Sequence, residues 1–184
     1  MSGEPRKGDL LIASSTLVDP NFVGTVILLC EHSEEGAYGL VLNRPLEVTD
    51  AIRSELEFLP DNGLLLGGPV QTSALQVMHP FGEQIPNAAE VVSGVWIGGD
   101  FDVLKRALST GVLPADECRF FLGYAGWSGG QLSTEMDVDS WLTAPATYEL
   151  VFETDPVHLW HAAIQSRGRR EPLFAHFPED PRFN

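Results

Sequence analysis

A chain of 184 residues in which 26 acidic side chains stand against 11 basic ones carries a formal charge of −15. That field repels phosphate backbones, so direct binding to nucleic acid is disfavoured: most sequence-independent affinity for DNA comes from Lys and Arg neutralising phosphates. With 43% hydrophobic residues and a mean hydropathy near zero, the chain can build a packed core and reads as one domain over 1–184, not as a disordered segment.

The N-terminal residues 1–9 are polar, with no apolar stretch of the signal-peptide kind, and no segment approaches the roughly 20 apolar residues needed to span a bilayer. A cytoplasmic protein without membrane attachment is expected. The two cysteines, Cys30 and Cys118, sit inside apolar runs and read as small buried hydrophobes rather than a disulfide framework.

In chain order, residues 10–13 form a short apolar strand, and Asp19-Pro20-Asn21-Phe22 a turn or helix start. Residues 23–30, centred on Val26-Ile27-Leu28-Leu29, are too continuously apolar for a half-exposed strand and predict one buried on both faces. A turn at 33–36 leads into a strand at 37–42, a hairpin that Asn43-Arg44-Pro45 ends. A short helix is expected over 49–56 with Thr49 as its cap, then strands at 64–66 and 74–79 and a loop at 80–88. Short strands follow at 90–92 and 95–97.

Asp100 caps a helix over 101–109, in which Phe101, Leu104, Ala107 and Leu108 share one face, and Gly111 closes it. Residues 117–123 predict another buried strand, and 128–136 contain a short helix. The alternation of Tyr148, Leu150 and Phe152 with Glu149, Val151 and Glu153 predicts a strand over 147–153, and Asp155-Pro156 opens a last helix over 157–166. Residues 1–8 and 170–184 read as irregular tails. Strands outnumber helices without strict βαβ alternation, which implies an α+β fold with a mixed, mostly antiparallel sheet.

The residues that can carry chemistry are few. Cys30 and His32, two apart on a strand, are placed on one face, as a nucleophile and base would be. As zinc ligands they are too few for a tetrahedral site. Residues 126–130, Gly-Trp-Ser-Gly-Gly, fit the Gly-x-Ser-x-Gly pattern with Ser128 as nucleophile and Asp139 and His158 downstream, but Tyr124-Ala125 separates the motif from its strand. His158 and His161 share a helix face without a Glu between them that would complete a metal motif. Gly67-Gly68-Pro69-Val70 lacks the Lys and Ser/Thr of a phosphate loop, and Asp100 would repel an anion at Gly98-Gly99. Arg167-Gly168-Arg169-Arg170 reads as the solvated end of the last helix. None of these patterns requires a metal or a cofactor.

Two glycine-rich blocks remain, Gly67-Gly68-Pro69-Val70 and Gly123 to Leu132 with its Tyr124, Trp127 and Gln131, each following an apolar run. Glycine permits close approach of another backbone or a ligand. Asn43, Arg44, Gly67, Gly68, Pro69, Tyr124, Trp127 and Gln131 are therefore expected to form one recognition surface, since Trp and Arg are favoured anchors.

These segments, with Leu10-Leu11-Ile12-Ala13, Asp19-Pro20-Asn21-Phe22, Cys30-Glu31-His32, Gly36 to Pro45, and Trp141-Leu142, resemble in this order the YqgE/AlgH family of bacterial proteins. The resemblance runs from Gly8 to about Trp160. It implies a sheet curled into a partial barrel and flanked by helices, and little chemistry. One branch bears a name linked to transcriptional control of alginate production. Ser128 stands where the family often has Gly or Ala, which weighs against a nucleophile, and the tail after Arg167 departs from the usual ending. The function expected is that of a non-enzymatic regulatory or binding protein with a protein or small-molecule partner, its role in transcription indirect. The alternative is a hydrolase using Cys30, His32 or Ser128.

Overall fold

The computed structural model describes residues 3–167. The described residues form nine strands: β1 (Asp9–Ala13), β2 (Val26–Ser33), β3 (Gly36–Val41), β4 (Leu64–Leu66), β5 (Val70–His79), β6 (Ala88–Val92), β7 (Val95–Gly98), β8 (Arg119–Ser128) and β9 (Trp141–Pro145). Four helices accompany them: α1 (Asp50–Glu55), α2 (Phe101–Ser109), α3 (Gln131–Asp137) and α4 (Leu159–Ser166). The fold is α+β. Its sheet, a curled half-barrel flanked by helices, has the order β6-β7-β5-β8-β3-β2-β1-β9, with β4 paired to β8 off this path. Every pair is antiparallel except β4 with β8.

The apolar run of β2 is explained by a core on each side of the sheet. Val26, Leu28 and Cys30 face one cluster, with Leu159, Trp160 and Ile164 of the α4 side. Ile27 and Leu29 face another, with Trp127, Leu132 and Trp141. Each such side chain contributes about 1.5–3 kcal/mol when fully withdrawn from water. A third cluster joins Leu104 and Leu108 of α2 to Val77 and Phe120 of the sheet. The helices begin where capping chemistry directs: Thr49 Oγ1 accepts from Ile52 N, and Asp100 Oδ1 from Val103 N.

One predicted strand is not a strand. Glu149–Glu153 is a π-helical turn in which Leu150, Val151 and Phe152 are all buried. An alternating strand would bury only every second residue, whereas this turn closes one end of the first core with three in succession. The Arg119 guanidinium donates to Phe152 O at 2.6 Å and sits over its ring, holding the turn against β8. Other boundaries move as well: β2 runs on to Ser33, β5 starts at Val70, β6 starts at Ala88, β8 runs on to Ser128, and Pro156–His158 forms a 3-10 turn ahead of α4; the strand β9 is not expected from the sequence. Within the basic run, Arg167 donates from Nε to Thr143 O at 2.9 Å; Gly168 to Arg170 and the tail predicted at 170–184 lie outside the described residues.

Candidate functional site

β4 and β5 both pair with Phe120–Leu122 of β8, one parallel and one antiparallel, so they occupy its two edges. The chain between them, Gly67-Gly68-Pro69, must therefore cross β8, and it does so at Gly123-Tyr124. A Cβ on Gly68 would overlap the Tyr124 carbonyl, and one on Gly123 would overlap the Gly68 oxygen. The two glycine blocks meet, but the room left by their missing side chains is filled by the chain's own backbone. Gly67 N donates to Leu122 O, and Gly67 O accepts from Val41 N, both at 2.8 Å. Pro69 is exposed at the crossing, and Tyr124 packs on Tyr38 with ring centroids 5.2 Å apart.

Asn43, Arg44 and Trp127 converge on the loop over 19–25, with Arg44 O accepting from Leu66 N beside the crossing. The Asn43 side chain accepts from Val26 N at 2.9 Å and donates to Gly24 O at 2.9 Å. Arg44 donates to Val23 O at 2.8 Å. Between these anchors Phe22 packs on Trp127, 6.4 Å away, and Trp141, 5.7 Å away. Trp127 is buried, so it carries this loop from beneath rather than meeting solvent. Its indole N–H donates to Glu135 Oε2, which also accepts from Trp141, while Gln131 donates to Glu135 Oε1. Glu135 went unnoticed in the sequence. Nothing in an exposed-looking Glu of a short helix signals that two indoles will share its oxygen.

The pairing of Cys30 with His32 does not survive folding. Leu29 pairs with Gly39 and Glu31 with Tyr38, so Cys30 is the extra residue of a β-bulge. The bulge shifts the alternation by one. Cys30 stays in the first core, whereas His32, opposite Ala37, turns toward the second. Cys30 Sγ lies 3.5 Å from Leu28 O, and burial, aided by the Glu31 charge, pushes the thiol up to about 12. The His32 ring meets Pro5 O at 2.7 Å through Nδ1. A carbonyl only accepts, so Nδ1 carries the proton and Nε2 is bare in the neutral ring.

Ser128 lies at the end of an antiparallel strand, and its hydroxyl is 3.3 Å from Gln131 Oε1. The strand runs unbroken through Tyr124-Ala125 into the motif, so the sharp elbow that would present a nucleophile is missing. His161 packs edge-on against Trp160, its neighbour in α4. Among the described residues, the histidine most withdrawn from water is His79, which carries no signal in the sequence: Nε2 donates to Gly98 O at 3.0 Å, and Nδ1 accepts from Phe81 N.

Among the described residues, concavities open at the surface in at least two places. An apolar groove of about 370 Å3 lies among Ile52, Leu56, Leu75 and Phe101. A polar cleft of about 650 Å3 lies where the segment over residues 4–7 passes the β2–β3 hairpin and the start of α3. Among the described residues no helix is long and apolar enough to cross a membrane.

A curled, mostly antiparallel half-barrel whose two glycine segments cross at the central strand β8 defines the class: an α+β protein of the half-barrel kind. The chain belongs to the AlgH-like family (DUF179), whose family model matches residues 10–171. It is 45% identical over 181 residues to a UPF0301 protein of Chlorobaculum tepidum, covering 97% of this chain and 96% of that one. It is 35% identical to a UPF0301 protein of Cytophaga hutchinsonii, covering 97% and 98%. The solution structure of AlgH from Pseudomonas aeruginosa matches with a TM-score of 0.72 at 34% identity, covering 98% of this chain and all of that one. A crystal structure from Corynebacterium diphtheriae shares the fold, with a TM-score of 0.76 at 22% identity over 96% and 95% of the two chains.

Proposed function

We propose that this chain is a non-enzymatic binding protein that acts through the face built on the loop over 19–25. One observation carries this: Asn43, Arg44 and Trp127, brought from just after β3 and from β8, each hold part of that loop. The loop, together with the stretch just before it, exposes Asp19, Pro20 and Asn21, and Val18, which is 86% exposed. A loop fixed in advance loses little entropy on meeting a partner. Gln131 and the Gly67-Gly68-Pro69 crossing with Tyr124 support the same framework from α3 and β8. Any effect on transcription runs through that partner, since the net charge opposes contact with DNA.

The hydrolase alternative is the weaker reading. Cys30 and His32 face opposite sides of the sheet, and the Ser128 hydroxyl is engaged with an amide rather than a base.

The test is capture of a partner by wild type, Val18→Asp and Arg44→Ala, each shown to be folded, beside a hydrolase screen with Cys30→Ala, His32→Ala and Ser128→Ala controls. A partner lost from both loop variants supports the proposal. Unchanged capture by both variants overturns it, as does turnover abolished by a folded Cys30, His32 or Ser128 variant.

A further inference from the structure

The polar cleft gathers groups of complementary chemistry from three segments. The N-terminal stretch contributes Glu4, Arg6 and Lys7, the β2–β3 hairpin His32, Ser33 and Glu34, and the start of α3 Gly130 and Ser133. Its volume of about 650 Å3 falls within the range of small-molecule sites.

Cations are scarce in this chain, and Lys7 is one of only two lysines. Neither the Arg6 guanidinium nor the Lys7 ammonium makes an ion pair among the described residues; the ion pair seen there joins Arg53 to Asp61. Both cations are exposed. Two adjacent unpaired cations suit a compact anion that each can approach, and Arg in particular matches the oxygens of phosphate.

Glu4 and Glu34 line the same cleft, so a bare anion would meet opposing charges. A ligand that also carries hydroxyls turns the carboxylates into acceptors. The bond from His32 to Pro5 O adds one more: with Nδ1 donating to that carbonyl, Nε2 is left as an acceptor on a ring fixed in place. The Ser33 and Ser133 hydroxyls can both donate and accept.

We infer that this cleft binds a phosphorylated polyol of sugar-phosphate size, with the phosphate on Arg6 and Lys7 and the hydroxyls toward Glu4, Glu34 and His32 Nε2. The site does not depend on the partner proposed for the 19–25 loop, because among the described residues no hydrogen bond or ion pair joins Arg6 or Lys7 to Asn43, Arg44 or Trp127.

Ribose 5-phosphate, ribose and inorganic phosphate serve as probes, titrated separately and followed by the backbone amide signals of Ser33 and Gly130. Ribose 5-phosphate is expected to shift both signals and to bind more tightly than either fragment. The double variant Arg6→Gln, Lys7→Gln should weaken it by at least about tenfold, the effect of losing one charge-assisted hydrogen bond. Lys105→Gln, on α2, should bind as wild type does. The inference is overturned if ribose or inorganic phosphate binds as tightly as ribose 5-phosphate, if the double variant is unimpaired, or if the shifts miss Ser33 and Gly130. All of these side chains are exposed or half-buried, so the variants are expected to fold.

Discussion

Trp127 and Trp141 donate their indole N–H groups to one carboxylate oxygen, Glu135 Oε2, at 3.0 and 2.8 Å. The two rings meet edge to face, 6.1 Å apart, with Phe22 against both. Glu135→Ala would strand both donors in a largely dry cluster. A loss of about 2–4 kcal/mol is expected, from one to two unsatisfied buried donors. Urea unfolding followed by Trp fluorescence measures it. Glu135→Gln should recover part of the loss, because the amide oxygen still accepts.

The crossing of Gly68 over Tyr124 sets a different kind of constraint. Its φ is +156°, and a Cβ there would run into backbone that cannot step aside. Gly130 also has a positive φ, +78°, but nothing lies within 4 Å of the site of its missing Cβ. Gly130→Ala should therefore cost only the left-handed strain, about 1–2 kcal/mol. Gly68→Ala should abolish soluble folded protein or cost several times more. Equal unfolding midpoints for the two variants would refute this account of the crossing.

His79 supplies a pH dependence. Burial holds its pKa below the ordinary value, and its neutral ring is used at both nitrogens. In the unfolded chain a His titrates near about 6.5. Below that pH the unfolded state binds a proton that the folded state refuses, so stability is full above about 6.5 and declines as the pH falls through it. Urea midpoints compared between about pH 7.5 and 5 should fall more steeply for wild type than for His79→Gln, which retains a donor and an acceptor without titrating. Parallel pH profiles would exclude His79 as the cause.

Cys30 and Cys118 are both pushed up to about 12, chiefly by burial. At pH 8 only about one thiol in 10^4 would be ionised, and the thiolate is the reactive form. Native protein should resist a thiol-modifying disulfide reagent, and two equivalents should react once denaturant is added. Rapid native labelling at Cys30 would revive its candidacy as a nucleophile.

Much of the architecture was legible in local pattern. The run Val26-Ile27-Leu28-Leu29 announces a strand covered on both faces because only a core on each side tolerates unbroken apolar side chains. Thr49 and Asp100 announce helix starts because capping is a contact over three residues. The 147–153 stretch misled because its alternation imitates a strand, while its packing against Arg119, some 30 residues earlier, favours a π-helical turn.

The candidate site was legible only as a set of residues, not as an arrangement. Asn43, Arg44 and Trp127 stood out by type, but their shared hold on the 19–25 loop depends on pairings between β2, β3 and β8 that no local pattern encodes. Cys30 and His32 looked alike in facing because strict alternation was assumed, and a single bulge residue reverses it. By itself, then, the sequence determined most of the strands, helices and turns, though not the strand at Trp141–Pro145 or the π-helical turn at Glu149–Glu153, and the family to which they belong. Such features rest on interactions between near neighbours and on the order of motifs. Only the tertiary structure decided which groups share a face, which glycines are filled by backbone and that Arg6 and Lys7 line one cleft with His32. Each of those depends on contacts between residues far apart in the chain, and one residue's shift in register is enough to change them.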